Sequence, residues 1–458
     1  MSTLTSTIET FSFSGKSVNC YGLEYVKRTL ESRGFQVLPF SRDSKNDVLV
    51  SLYWPEQIFD FIRWRFDPCM KGRRVFVGGN YPTTSPQAVL PFADGVYLGD
   101  GELWDGTLNS PFLCSREEPR ERAIATEILP FAFEDLQVTR RAFVEISRGC
   151  KNKCLFCQYG WLKPYREADI VDIEAVLQRV QTKSVRVFAA DRFQHSNYKT
   201  IRAILQRKGK ADTGSDASLR FILKHPEYLQ FTKKIRTGIE GMSHRLRKMV
   251  GKNYSDDEII EFSRLVASVG IKQFDWYMIY GLPTEGEEDI EIFKQLLCRL
   301  DELLPEGYVI SIHWNAFTPS PQTPFQWQTP AVAQPHFVAL SKFLNAWKGN
   351  RRIKIYHKPK MTHQYTIMRR MLAMWATDEC AKLLFNVAVN EIKWKKRPDC
   401  LLRAYEECAG QDLLAAWPPS VPLPWDRYCV YEKGRMMKIA DRAISRARGE
   451  KSERDHGE

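Results

Sequence analysis

A chain of 458 residues, 43% hydrophobic and 27% charged, is long enough for two or three domains with cores of their own. No run of about 18 uncharged apolar residues occurs, which argues against a membrane span, and the opening MSTLTSTIETFSFSGKSVNC lacks the basic and apolar regions of a secretory signal. Net charge is +12, of which residues 331–458 carry +10 (24 Lys and Arg against 14 Asp and Glu), and the 11 cysteines, an odd number, suit a reducing compartment, cytoplasm by default, better than a disulfide framework.

From residue 17 to 105 strands and helices alternate. Tyr21–Arg33 has apolar residues at helical spacing and Gly34 as its stop; Phe35–Phe40 reads as a strand, Asp47–Leu52 as a buried strand and Phe59–Phe66 as an amphipathic helix. Arg74–Val77 then runs into Gly78-Gly79-Asn80, and Gly95–Leu98 ends at Gly99-Asp100-Gly101-Glu102. This alternation predicts a doubly wound parallel sheet over 1–105, with any ligand at the carboxyl ends of the strands. Residues 106–140, with Pro111, Pro119 and Pro130 among charges, read as a linker.

Next comes Val144-Glu145-Ile146-Ser147-Arg148-Gly149-Cys150-Lys151-Asn152-Lys153-Cys154-Leu155-Phe156-Cys157. Alternating apolar residues predict a short strand, and Gly149 the turn into a loop. Thiolates at 150, 154 and 157 can converge on one soft metal centre, leaving one coordination position open. An iron–sulfur cluster that does chemistry can use an iron left free by the protein; structural zinc would need a distant fourth ligand, and three core cysteines would need no metal.

CxxxCxxC with Phe156 before the third cysteine resembles the signature of the radical S-adenosylmethionine (SAM) superfamily. The resemblance implies that Cys150, Cys154 and Cys157 hold a four-iron, four-sulfur (4Fe-4S) cluster. Its open iron would chelate SAM, and one electron from the cluster would cleave SAM to methionine and a 5'-deoxyadenosyl radical. A small flavodoxin- or ferredoxin-like protein is the implied electron donor.

The remainder of 141–330 continues the alternation. Strands are expected at Arg141–Ile146, Ser184–Ala190, Leu219–Leu223, Ile235–Gly241, Phe274–Tyr280 and Tyr308–Trp314, and a helix at Ile170–Thr182. Ser255 and Glu258 form one capping box, Thr284 and Glu287 another. Six such repeats predict a partial (β/α)6 barrel working at the carboxyl ends of its strands. The phrases GIEG, YMIYGLPTE and FTPSPQTPF resemble segments of the radical SAM core in the same order. By that resemblance Phe156 and Ile279–Gly281 meet adenine, Asp191 the amino group of SAM, and Gly238 and Glu240 its ribose or methionine.

The N-terminal phrases GLxYV, VFVGGNYPT and VYLGDGE resemble the cobalamin-binding domain that precedes many radical SAM cores, with Gly78 and Gly79 as the expected approach to the corrin. No Asp-x-His-x-x-Gly occurs, so the usual histidine ligand to cobalt is missing. Transfer-RNA methylthiotransferases also place an α/β domain first, with three cysteines. Of Cys20, Cys69 and Cys114 only Cys20 falls at that spacing, and Asn80 follows the glycines, so that subfamily is set aside.

Residues 331–447 read as a basic, mainly helical C-terminal domain and 448–458 as a disordered tail. Gln364–Lys393 carries a long helical pattern rich in Met and Trp, and Trp417–Trp425 with four prolines must be an extended connector. Cys380, Cys400, Cys408 and Cys429 lack metal-type spacing. Arg351, Arg352, Lys354, Lys358 and Lys360, with His357 and His363, could hold an anionic substrate, with Tyr356 and Tyr365 placed to stack on bases, or be solvated surface. The expected activity is radical modification of an unactivated carbon, foremost cobalamin-dependent methyl transfer. A peptide or small molecule is the favoured substrate and a nucleic acid the alternative; the rival functions are radical SAM rearrangement or oxidation without cobalamin and a non-catalytic cluster protein.

Overall fold

The computed structural model describes residues 4–13, 21–115, 118–135, 140–231, 234–271, 273–331, 342, 343, 345, 347, 353–356 and 363–450. Contacts divide the chain into two units, Met1–Thr126 with Gln364–Glu432, and Glu127–His363 with Lys433–Glu458. The C-terminal domain expected over 331–447 is therefore shared between them rather than standing alone. Helical periodicity shows that a segment has an apolar face; it does not say which sheet that face covers.

In the first unit, strands β1 (Thr7–Ser12), β2 (Gln36–Pro39), β3 (Asp47–Ser51), β4 (Val75–Gly78), β5 (Gly95–Tyr97) and β6 (Leu113–Cys114) form one sheet in the order β2-β1-β3-β4-β5-β6. All pairings are parallel except β5 with β6. Order 2-1-3-4-5 is a doubly wound arrangement that reverses between β1 and β3, where such sheets bind ligands. All five residues of β3 are buried, as a parallel strand covered on both faces requires.

Strand β6 falls inside the expected linker. A two-residue antiparallel edge needs no helix and leaves no periodic trace in the sequence.

The segment 364–432 completes this unit. The expected long helix is broken into His363–Trp375, Ala381–Val389 and Glu391–Lys395, with a short turn at Asp378–Cys380. Tyr81 donates its hydroxyl to the Ala373 carbonyl at 2.6 Å, and Gln87 Nε2 to that of Met374 at 3.1 Å. Trp417 and Trp425 are both buried and pack on Trp375 with ring centroids 5.0 Å apart. The proline-rich run between them is non-helical, as expected, but it turns and is anchored at both ends. Cys380 and Cys408 form a disulfide (Cα–Cα 5.4 Å), a departure from the expectation of a reducing compartment; among the described residues the eight other cysteines form none.

The second unit opens with β7 (Ala132–Asp135), also within the expected linker, antiparallel to β8 (Arg141–Glu145). A short ladder pairs β9 (Ser147–Arg148) with β10 (Arg166–Glu167). The barrel strands that follow are β11 (Ser184–Phe188), β12 (Ala211–Asp212), β13 (Ile235–Glu240), β14 (Gln273–Tyr280), β15 (Val309–Ala316) and β16 (Ile353–Tyr356). They form the sheets β12-β11-β8-β7 and β13-β14-β15-β16, parallel apart from β7. A parallel bridge between Asp216 and Arg236 joins the two, giving a partial barrel.

The expected third strand at Leu219–Leu223 is instead a helix, Leu219–Lys224; a short apolar run is compatible with either, and its Leu219 and Ile222 turn into the core. The Ser255–Glu258 capping box is present, with both bonds made. The second box is displaced: the helix Glu287–Leu303 is capped at Gly286, whose N–H meets Asp289 Oδ2 at 2.9 Å. Thr284 has φ 68 and accepts from Arg245 instead. Helix Lys433–Ala447 adds Ala440 and Ile444 to the barrel's core. Among the described residues no helix is long and apolar enough to cross a membrane.

Candidate active site

The site grows from the end of β8. Gly149 has φ 76, and a β-carbon there would lie 2.5 Å from the Pro164 carbonyl, so only glycine lets the chain turn under its own loop. The β9–β10 ladder closes that loop at its base. Leu155 N–H donates to the Val250 carbonyl (3.2 Å), Phe325 N–H to that of Leu155 (3.1 Å), and Trp161 Nε1 to that of Cys154 (2.9 Å). The cysteine loop is thereby tied to the loop after β13 and the segment after β15.

Cys150, Cys154 and Cys157, all free thiols, line one cavity of about 260 Å3. Its walls also include Phe156, Asp191, Gly238, Glu240, Lys252 and Tyr277. Burial pushes the Cys150 thiol up and those of Cys154 and Cys157 to about 12, while the Lys252 ammonium pulls all three the other way. A metal centre binds the thiolates, so its assembly would release those protons. Among the described residues no group of three or more His, Cys, Asp or Glu is placed to hold a single metal ion. Three thiols spaced round a cavity, with no fourth cysteine in its walls, fit a multinuclear cluster with an open position instead.

Asp191 Oδ1 caps the turn Arg192–Gln194 through Phe193 N–H, and Oδ2 accepts from Asn152 and Gln194. Burial holds its carboxyl above the usual range, partly offset by those bonds and by Lys252. Burial likewise raises Glu240, against the pull of Lys252. Glu240 sits at φ 70, an uncommon backbone for a non-glycine residue of the kind found at functional sites.

Four of the expected cofactor residues, Phe156, Asp191, Gly238 and Glu240, thus meet the three cysteines. Ile279 and Gly281 are not among the cavity's walls. Ile279 is buried on β14, and Gly281 (φ 73) donates its N–H to Glu285 Oε1 at 2.8 Å. Gly78 and Gly79 belong to the first unit. A β-carbon on Gly79 would lie 2.4 Å from the Leu52 carbonyl, whereas one on Gly78 meets nothing nearer than 3.9 Å. Gly79 is therefore demanded by packing within the sheet, whereas a β-carbon on Gly78 would make only ordinary contact with Tyr97.

Two residues carry no motif and escaped the sequence reading. Gln194 lies 3.7 Å from Cys150 Sγ and accepts the Lys151 N–H at 2.8 Å. Lys252 is brought in by the turn after helix His244–Met249; the only hint was a lone lysine following Gly251.

Residues 144–297 match the radical SAM superfamily, so this part of the chain is similar to a radical SAM domain. A Methanocaldococcus jannaschii protein named as uncharacterized is 28% identical over 196 residues, 40% of this chain and only 42% of that protein's length. A second protein of that organism, provisionally named a methylthiotransferase, is 25% identical over 336 residues, 62% of this chain and 74% of its own. Of the cysteines considered for such a subfamily here, Cys20 lies outside the described residues, and Cys69 and Cys114 form no disulfide. TsrM from Kitasatospora setae, a radical S-adenosylmethionine methyltransferase with tryptophan and a SAM analogue bound, is similar in fold with a TM-score of 0.50. That likeness covers 70% of this chain and 75% of TsrM at 13% identity.

Proposed function

We propose that this protein is a radical SAM enzyme, a methyltransferase that works with a corrin on the N-terminal sheet and acts on a peptide or small molecule. The observation that carries the radical SAM chemistry is the convergence of three free thiols, three carboxylates and one ammonium on a single cavity at the carboxyl ends of the barrel strands. Cys150, Cys154 and Cys157 would hold the cluster, which when bound supplies the one-electron chemistry that opens SAM. The chain's own residues bind and enclose: Phe156 forms an apolar wall, Asp191 and Glu240 present carboxylates towards a cationic ligand, and Lys252 keeps positive charge beside the thiolates. Burial in the cavity strengthens each of these interactions by removing water.

For the corrin, the sheet order, the small Gly78 and the exposed rings of Tyr53 and Trp54 just past the end of β3 offer an apolar edge at the switch point. No histidine ligand is implied. The second reading, radical SAM chemistry without cobalamin, is favoured by Gly79, whose side is filled by the Leu52 carbonyl rather than left open to a ligand. A flavodoxin- or ferredoxin-like protein remains the proposed electron source. A nucleic-acid substrate is the weaker proposal: Tyr365 is 6% exposed and unavailable for stacking. Lys354 is exposed on β16, while Arg351, Arg352, His357, Lys358 and Lys360, and the side chains of Tyr356 and His363, lie outside the described residues.

Anaerobic reconstitution tests the reading. It should give about four irons and four sulfides per chain, and reductant with SAM should give 5'-deoxyadenosine and methionine. Stoichiometric zinc in their place refutes it. SAM labelled at its methyl group should pass the label to product only when corrinoid is retained; turnover by corrinoid-free protein selects the second reading.

A further inference from the structure

We propose that Lys252 and Glu240 are an opposed pair of positioning charges that set the reduction potential of the cluster held by Cys150, Cys154 and Cys157, Lys252 raising it and Glu240 lowering it. This rests on the cluster reading above. Both residues line the cavity of the three thiols, and the two lie together: a β-carbon on Gly238 would fall 2.1 Å from Glu240 Oε1 and 3.4 Å from Lys252 Nζ.

The backbone holds them there. Lys252 N–H donates to the Arg247 carbonyl at 2.7 Å, and Tyr254 N–H to the Lys252 carbonyl at 2.6 Å. Arg247, fully buried, donates from Nη1 to the carbonyls of Gly241 and Met242 and from Nε to that of Tyr254. It thus clamps the chain just after Glu240 to the chain just after Lys252. Gly251 lies against Cys154, its β-carbon position 3.4 Å from the Cys154 Cα, so the lysine is delivered to the cysteine loop with no side chain intervening.

A pair that only neutralised itself would need no such proximity to three thiols. The Lys252 charge reaches Cys150, Cys154 and Cys157, and the Glu240 charge reaches Cys154 and Cys157. Reduction adds one electron, here from dithionite, and so one negative charge to the cluster. A nearby cation favours the reduced state and a nearby anion opposes it, more strongly inside a cavity than in water. Asp191 and Tyr254 also face Lys252 and stay unchanged in the comparison below.

The test is a reductive titration of reconstituted protein without SAM, followed by electron paramagnetic resonance of the reduced cluster. Wild type, Glu240→Gln and the double variant Glu240→Gln/Lys252→Met are compared. Lysine is removed in the glutamine background because a lone buried carboxylate would take up a proton and mask the change. Glu240→Gln should increase the reduced-to-oxidised ratio at fixed potential about tenfold, roughly 59 mV for a one-electron couple. Adding Lys252→Met should reverse that by about tenfold or more, and Lys252→Arg in the same background should not. Shifts of equal sign, shifts below about threefold, or an arginine variant that behaves like the methionine one would overturn the proposal, since a packing defect has no reason to follow the sign of charge. If the methionine double variant holds no iron, the absence of a rise in Glu240→Gln alone overturns it. Iron-free wild type would instead refute the cluster reading.

Discussion

Gly238 owes its identity to its neighbours rather than to a turn. A β-carbon there strikes the far end of the Glu240 side chain, which can swing away, so Gly238→Ala should fold while displacing the Glu240–Lys252 pair into the cavity. We expect iron content to be kept and SAM affinity, measured by equilibrium dialysis, to fall about tenfold or more, within the roughly 1–3 kcal/mol cost of overpacking. The cysteines behave differently. Replacing Cys150, Cys154 or Cys157 by Ala should remove cluster iron, seen as loss of visible charge-transfer absorbance, while the far-ultraviolet circular dichroism stays unchanged. Cys→Ala at Cys298, which is exposed, should leave iron intact.

At the level of elements, the two adjacent glycines after β4 separate packing from ligand approach. Gly79 adopts φ 112 with the Leu52 carbonyl 2.4 Å from its β-carbon position, so Gly79→Ala should lower the unfolding midpoint whether or not a corrin is bound. A β-carbon on Gly78 makes only an ordinary 3.9 Å contact with Tyr97, so the expected effect of Gly78→Ala is loss of copurified corrinoid with stability kept; retention of corrinoid by that variant would remove this edge from the binding face. The capping box at Ser255 gives a second measurable element. Ser255 Oγ accepts the Glu258 N–H at 3.1 Å and Glu258 Oε2 the Ser255 N–H at 2.8 Å. Ser255→Ala should cost about 1 kcal/mol in denaturant titration.

For the whole molecule, the order of segments along the chain is not the order of the folded units. The first unit needs residues 364–432: they accept hydrogen bonds from Tyr81 and Gln87, and Phe385 packs on Phe66 with centroids 4.8 Å apart. A fragment ending at residue 330 would leave that face bare. It should bind the dye 1-anilinonaphthalene-8-sulfonate and aggregate, whereas fusing residues 364–432 back through a flexible linker should restore a cooperative melt. A soluble, cooperatively folding 1–330 fragment would contradict this.

The local signals in the sequence located the candidate site. CxxxCxxC placed three thiols on one loop, Gly149 announced its turn, and GIEG named the strand end where Gly238 and Glu240 sit, because each depends on residues close together in the chain. Alternating patterns likewise located most of the parallel strands, since a buried strand must be apolar wherever it lies. Distant partners left no such mark. Lys252 becomes a site residue only when Arg247 clamps its turn to the end of β13, β6 and β7 become strands only when an edge accepts them, and Leu219–Lys224 becomes a helix because that conformation turns Leu219 and Ile222 into the core. Short-range spacing determined which atoms could hold a cluster; only tertiary packing decided which charges stand beside them, because a charge acts through space and not along the chain.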